Sequence, residues 1–310
     1  MMEWVIWLWE KKRGENTLRQ IYLFYYSGTG NTRMVTRQIV KNLVAEGFEV
    51  CLINIEKSEM VQPRELAGKL LGFGFPIYGH DYPYQVLDPF IDRIGVMDNA
   101  VPAFVYSTSW KTPGMGVNHF MVELKKRKIQ TIIKQKFLCP SSGWYCLTAP
   151  ESGKYQVMHF ESYLFTHIAS FVQQIKNAMA RYEVKTFSKR GWINPIEKIM
   201  VGISKKVEAK YWNHYNISEK CINCRCCLNN CPMGNFEIVN QQVRFKNTMQ
   251  CLWCMRCISS CPQNAITLGV ATVGKGRYTP EFQRALMEKQ IKDLPVGFFN
   301  DPKNPEGIKL

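Results

Sequence analysis

No stretch of the 310-residue sequence reaches the roughly 18–20 consecutive apolar residues that a membrane-spanning helix requires. A secretory pattern is missing too: the apolar run Trp4 to Trp9 is short, and no small-residue cleavage site follows it. A cytoplasmic protein without a transmembrane span is the expectation. Acidic residues are scarce, with 25 Asp+Glu against 40 Lys+Arg and a formal net charge of +15. The imbalance is concentrated late in the chain, where residues 185–310 hold 19 Lys+Arg and 9 Asp+Glu. Such an excess reads as a solvated basic face, a docking surface for an acidic partner, or a contact with a membrane surface. No nucleic-acid-binding fold or aromatic RNA-binding motif accompanies it, so nucleic acid is not an expected partner. Two nucleotide signatures are absent as well: no Gly-Lys-Ser/Thr closes a P-loop, and no G-x-G-x-x-G occurs at the first glycine-rich turn.

What is present is apolar enough to fold. Hydrophobic residues make up 46% of the chain, which excludes global disorder and allows about two domains at this length. Residues 1–20 read as an N-terminal extension carrying Trp4, Trp7 and Trp9 ahead of Lys11, Lys12 and Arg13. From residue 21, strand and helix patterns alternate. Ile21 to Tyr26 is a continuous apolar run of the kind found in strands buried on both faces. A helix is expected over 32–46, then a strand from Phe48 to Ile55 and another from Leu70 to Phe75, ended by Pro76. The next expected elements are a helix over 84–94, a strand from Val101 to Tyr106, a helix over 115–127 and a fifth strand starting near Lys136 to Cys139. A long helix over 158–182 completes this unit. The alternation argues for an α/β fold with a parallel five-stranded sheet and right-handed crossovers over residues 21–184. Residues 185–216 break the rhythm and read as a basic linker with a helix from Pro195 to Tyr211. Residues 217–270 form a cysteine-rich unit, and 271–310 a tail with one helix from Pro280 to Lys292. The two folded units are read as independent.

The 12 cysteines are unevenly placed, and eight step regularly through residues 221–261. The first run is Cys221-x2-Cys224-x2-Cys227-x3-Cys231-Pro232, and the second is Cys251-x2-Cys254-x2-Cys257-x3-Cys261-Pro262. Each cysteine of the second run lies 30 residues after its counterpart, so the region is an internal repeat. Tight C-x-x-C spacing points to metal rather than to disulfides, and thiolate metal sites fit a reducing compartment. Structural zinc, which takes four ligands in separated pairs, is the alternative. The runs resemble the bacterial 2[4Fe–4S] ferredoxins, whose fourth cysteine in each run ligates the other cluster. The resemblance covers residues 217–268 and both runs in full. It implies an α+β ferredoxin-like domain with two [4Fe–4S] clusters, one on Cys221, Cys224, Cys227 and Cys261, the other on Cys251, Cys254, Cys257 and Cys231. Many small ferredoxins are acidic, and this region is not. A hairpin is expected around Asn240-Gln241-Gln242. Cys226, a ninth cysteine inside the first run, is out of register and reads as a non-ligand thiol, while Cys51, Cys139 and Cys146 read as packing residues.

Between the first strand and the first helix stands Ser27-Gly28-Thr29-Gly30-Asn31-Thr32. The glycines permit a tight turn and close backbone approach, the hydroxyls and the Asn31 amide offer hydrogen bonds, and the helix N-terminus favours an anion. The loop resembles the FMN phosphate loop of flavodoxins, and residues 21–182 share that family's alternating pattern. The resemblance implies a doubly wound, flavodoxin-like sheet with FMN outside the carboxyl ends of its strands. The flanking loops are then Pro76-Ile77-Tyr78-Gly79-His80-Asp81-Tyr82-Pro83 and Ser107-Thr108-Ser109-Trp110-Lys111-Thr112-Pro113-Gly114. Tyr78 and Trp110 are candidates to stack on the ring. His80, Tyr78 and Tyr82 are candidate proton donors, with Asp81 beside them, and Ser141-Ser142-Gly143-Trp144 is a candidate far wall. The second flanking loop lacks the acidic pattern of many flavodoxins.

A flavin exchanges electrons singly or in pairs, and a cubane cluster exchanges one. The combined resemblance implies an electron-transfer flavo-iron–sulfur protein of an oxygen-poor cell, serving a redox partner protein that an acidic surface would suit. A reductase acting on a small-molecule acceptor at the flavin is the second reading, and a redox sensor the third. The sequence leaves the oligomeric state open and is compatible with a dimer.

Overall fold

The computed structural model describes residues 19–56, 62–110, 114–148, 160–180, 215–246 and 250–278. The expected N-terminal extension up to residue 18, the linker helix from Pro195 to Tyr211, the tail helix from Pro280 to Lys292 and loop residues 111–113 lie outside these ranges.

Five strands build the larger unit: β1 (Gln20–Tyr25), β2 (Glu49–Asn54), β3 (Leu70–Pro76), β4 (Val101–Ser109) and β5 (Ile129–Leu138). They pair in the order β2-β1-β3-β4-β5, and every pair is parallel. Parallel neighbours need crossovers, supplied by α1 (Asn31–Ala45), α2 (Pro63–Leu66), α3 (Tyr84–Ile94) and α4 (Gly116–Lys126). Then follow α5 (Ser142–Thr148) and α6 (Phe160–Ala180). The fold is the flavodoxin-like doubly wound sheet expected.

Both faces of the sheet are covered, which is why the central strands read as unbroken apolar runs. All residues of β3 and β4 are buried. On one face, Phe24, Phe73, Phe75, Phe90 and Phe120 form a core with α3 and α4. On the other, Leu23, Val35, Ile39, Phe104, Tyr106 and Phe171 pack with α1 and α6. Gly74 creates the room this second core needs: a Cβ there would stand 2.2 Å from the Tyr106 ring. Tyr106 in turn hydrogen-bonds the buried Thr36 hydroxyl of α1.

Two elements differ from expectation. Strand β5 starts at Ile129 rather than near Lys136. It is an edge strand, and Gln130, Lys134, Gln135 and Lys136 interrupt its apolar pattern. Strand β4 runs on to Ser109, so Ser107, Thr108 and Ser109 belong to the strand and not to a loop after it.

The smaller unit comprises β6 (Tyr215–Ile217), α7 (Cys226–Asn230), β7 (Phe236–Val239), β8 (Gln242–Phe245), α8 (Arg256–Ser260), β9 (Ile266–Leu268) and a 3₁₀ turn at Gly269–Thr272. Strands β7 and β8 form the expected hairpin, and β6 pairs antiparallel with β9. The 30-residue repeat is visible in the backbone. Asn223 and Trp253 take φ of 53° and 58°, Arg225 and Met255 take 63° and 55°, and α7 and α8 begin 30 residues apart. Among the described residues no helix is long and apolar enough to cross a membrane.

The two units are not independent. Leu252 and Cys254 of the second cysteine run lie in the same apolar core as Phe24 and Phe73 of the sheet. Tyr278 is buried in the smaller unit's core and donates its hydroxyl to Asn31 Oδ1 at the start of α1.

Candidate functional site

The carboxyl ends of β1, β3, β4 and β5 open onto one cavity of about 320 Å³. Its floor is the glycine-rich loop. Gly30 caps α1 with φ 111°, a left-handed conformation that glycine adopts at low cost. The first amides of α1 have no intrahelical partners, an arrangement suited to an anion. Ser27 Oγ accepts from the Arg33 amide at 3.1 Å, and the Thr32 hydroxyl bonds that of Thr108 at 2.7 Å, locking the loop to β4. The Asn31 side chain does something the sequence did not suggest. It donates to Pro140 O at 2.8 Å and accepts from Tyr278, so it ties β5 and the smaller unit to the loop.

Most of the expected ring-side residues converge here. Pro76, Ile77, Tyr78, Gly79 and His80 line one side, Thr108, Ser109 and Trp110 another, and Ser141, Ser142 and Gly143 the far wall. Ser107 is fully buried within β4 and is not among the lining residues. The side chain of Trp144 is outside the described set. Trp110 is 37% exposed and sits at the mouth. The 78–81 loop is a tight turn in which Tyr78 and Asp81 exchange both backbone hydrogen bonds at 2.9 Å, with Gly79 and His80 at positive φ. Gly114 braces it: a Cβ there would stand 1.9 Å from His80 O.

Two candidates are corrected. Tyr82 is buried away from the cavity and donates its hydroxyl to Asp88 Oδ1 at 2.7 Å. Burial and that neighbouring carboxylate push its ionisation far up, so it is not a proton donor at the cavity. Asp81 is also buried and does not line the cavity. Its carboxylate accepts from the Tyr82 amide at 2.9 Å and from His119 Nδ1 at 3.0 and 3.2 Å. His119, on α4, carries the proton at Nδ1 in that arrangement and positions the turn.

The cysteine runs surround two further cavities. One is lined by Cys221, Cys224, Cys227 and Cys261, together with Cys226; the other by Cys231, Cys251, Cys254 and Cys257. The structure therefore brings together both four-cysteine sets, each taking its fourth member from the other run. None of the 12 cysteines is paired in a disulfide. Alternating left-handed residues turn successive amides inward, a concave arrangement suited to negative charge. Amides also reach the sulfurs directly: Asn235 N–H donates to Cys231 Sγ at 3.4 Å and Ala265 N–H to Cys261 Sγ at 3.2 Å. Burial pushes the Cys227 thiol up to about 11 and the Cys254 thiol up to about 12. Thiolates there would need a compensating positive charge, which an iron core would supply. Among the described residues no three His, Cys, Asp or Glu side chains converge on a single-ion site. The thiols line two cavities in sets of four, a donor set that fits a cubane.

Several residues of the site escaped the sequence reading. Trp253 and Met255, from the second cysteine run, form part of the wall of the large cavity. Arg256 joins the two units. Its Nε donates to Gly28 O at 2.8 Å, its terminal nitrogens donate to Ser27 O at 2.7 Å and Asn230 O at 2.9 Å, and it forks onto the Glu56 carboxylate at 2.6 and 2.8 Å. The guanidinium also lies 5.6 Å from the Tyr26 ring centroid. The one available signal was the repeat itself: Asn223, Arg225 and Cys226 of the first run become Trp253, Met255 and Arg256 in the second.

Residues 213–262 match the family model described as a 4Fe-4S dicluster domain. The sheet is similar to oxidised flavodoxin 1 from Bacillus cereus, at 16% identity, covering 53% of this chain and 99% of that one with a TM-score of 0.39. A flavodoxin from the domain Archaea is similar at 10% identity, covering 51% and 99%, TM-score 0.36. Two-electron reduced flavodoxin from Megasphaera elsdenii is similar at 18% identity, covering 38% and 85%, TM-score 0.34. No curated protein matches the chain. The fold assignment rests on the strand order and parallel registers given above. The chain thus joins a flavodoxin-like unit to one ferredoxin-like unit, a combination that supports an electron-transfer redox function.

Proposed function

We propose that the protein relays electrons between FMN, held over the glycine-rich loop, and two [4Fe–4S] clusters, coupling one-electron to two-electron steps for a redox partner. One observation carries this reading: a single cavity is walled jointly by the loops of the flavodoxin-like sheet and by Trp253 and Met255 of a cysteine run. Ser27, Gly28, Thr29, Gly30, Asn31 and Thr32 would hold the phosphate, through helix-start amides and hydroxyls. Pro76 to Gly79 and Thr108 to Trp110 would hold the ring. Cys221, Cys224, Cys227 and Cys261 would hold one cluster, and Cys231, Cys251, Cys254 and Cys257 the other. When bound, the flavin supplies the exchange between paired and single electrons. The chain's own residues do the rest. Amide donors to sulfur stabilise the thiolates, Arg256 fixes the two units in register, and the apolar Trp253, Met255 and Leu252 exclude water between them. The excess of basic residues suits an acidic partner protein.

Anaerobic purification followed by flavin, iron and sulfide counts tests the reading. It requires about one FMN and about eight irons per chain, as two four-iron clusters demand. Iron at half that level, or a flavin other than FMN, would refute it.

Reduction of a small molecule at the flavin is the second reading. The exposed Trp110 at the mouth and His80 at the rim favour it, because both stand where an acceptor would enter. Turnover of a small acceptor that His80→Ala slows without altering flavin content would support it.

A further inference from the structure

The two cysteine runs are copies of one backbone, yet their surroundings differ. In the first, Ile222, Asn223, Cys224 and Arg225 are all exposed, Ile222 to 60%. In the second, the equivalent Leu252, Cys254 and Met255 are buried at 6%, 8% and 2%. A Cβ placed on Gly28 of the phosphate loop would stand 3.0 Å from Cys254 Cβ. The same Cβ would meet Tyr78 Oη at 2.0 Å, and Tyr78 lines the flavin cavity. Arg256, two residues beyond Cys254, grips the Ser27 and Gly28 carbonyls. Its counterpart Cys226 has no such fork to offer.

We infer that the two cluster sites are inequivalent in a fixed order: the Cys231–Cys251–Cys254–Cys257 site is the inner one, coupled to the flavin through Cys254 and the Gly28–Tyr78 contact, and the Cys221–Cys224–Cys227–Cys261 site is the outer one, where a one-electron protein partner exchanges electrons. The inference rests on the proposed binding of FMN and both clusters. The chemistry of the second run follows from it. Leucine, tryptophan and methionine serve an interface with the flavin cavity, whereas isoleucine, asparagine and arginine at the same positions face water and a partner. In the reducing direction one electron leaves an external one-electron donor protein for the outer cluster. With FMN and both clusters bound, that electron would move from the outer site to the inner site and on to the flavin past Cys254 and Gly28, where one proton from water would balance the charge. The reverse direction uses the same contacts.

The phosphorus-31 resonance of bound FMN reports the order in the intact protein. A reduced cluster is paramagnetic and broadens a nearby nucleus steeply with proximity. Dithionite reduction of the wild type is expected to broaden the phosphate line severalfold. Cys224→Ser, which depletes the outer site, should keep most of that broadening, and Cys254→Ser should lose most of it. Should Cys254→Ser fail to fold, Cys257→Ser, at the next cysteine of the inner site, should likewise lose most of the broadening while the outer cluster's iron remains. Loss of broadening in Cys224→Ser but not in Cys254→Ser would overturn the order. So would an unbroadened wild-type line alongside the electron-spin signal of reduced clusters, or a line as broad as the wild type's in Cys257→Ser. A protein with no bound phosphorus signal, or with no iron, would instead bring down the cofactor reading beneath it, and this inference with it.

Discussion

Gly28 and Arg256 decide the junction between the two units. Alanine at 28 would drive a methyl into the Tyr78 hydroxyl, 2.0 Å away, and against Cys254. The expected outcome of Gly28→Ala is FMN affinity weakened by at least about tenfold, or about 1.4 kcal/mol, measured by fluorescence titration of the flavin. Adding Tyr78→Phe removes the nearest clashing atom and should recover part of the loss, a coupling that a double-mutant cycle isolates. Arg256→Ala leaves Glu56 without its bidentate partner and three backbone carbonyls without a donor. Losing this bidentate pair, which reaches solvent at Glu56, together with the carbonyl contacts costs about 1–2 kcal/mol, to be read as a lower midpoint of thermal or denaturant unfolding. Neither role was visible from residue type. The glycine-rich loop identified itself through composition, but an arginine inside a cysteine run looks like any solvated charge until the opposite carbonyls and carboxylate are in place.

The central elements of the sheet were the most legible, because a strand buried on both faces must be apolar throughout. β1 and β3 emerged as such runs. The edge strand β5 was half missed, since solvent on one side admits Gln130, Lys134 and Lys136. Glycine within β3 is a packing requirement rather than a flexible point. Gly74→Ala should overpack the Tyr106 side of the sheet and cost about 1–3 kcal/mol, measured by denaturant unfolding. Helix α3 carries a second testable strain. Asp88 is held up from its ordinary carboxylate range, chiefly by burial, while it accepts from Tyr82. Its folded-state value lies above the unfolded one, so its ionisation opposes folding once the pH exceeds the unfolded value. Asp88→Asn keeps an acceptor for Tyr82 and removes the charge. The variant should gain stability over the wild type near neutral pH, and that gain should vanish as the pH falls below the carboxylate range.

At the scale of the molecule, the cavity lined by Cys231, Cys251, Cys254 and Cys257 and the cavity proposed for the flavin share Met255 as a wall, so cofactor occupancy should be linked. Trp253, Met255 and Arg256 hold their places through the second cysteine run. Stripping iron with oxygen and chelator should therefore weaken FMN binding by about tenfold or more, following the linkage between a ligand and the state that binds it. Flavin titration of the iron-depleted protein checks this, and equal affinity with and without iron would show the units to be separable. The basic excess also belongs to this scale. Electron exchange with an acidic carrier protein should slow as ionic strength rises, because steering between opposite charges is screened within about 8–10 Å; stopped-flow rates across a salt series measure it.

The sequence by itself determined the class of sheet, the positions of the eight repeated cysteines and the place of the glycine-rich loop. Each of these is written in local order, as a two-faced apolar run, a fixed spacing, or a strand–glycine–helix turn. Tertiary structure alone decided which side chains face the cavity. It turned Tyr82 and Asp81 inward, gave the Asn31 side chain to Pro140 and Tyr278, and laid one of two matching cysteine loops against Gly28 while leaving the other in water. The physical reason is that most of these outcomes depend on contacts between residues distant in the chain, such as Asp81 with His119, Asn31 with Pro140 and Arg256 with Ser27 and Gly28, and no local spacing records them.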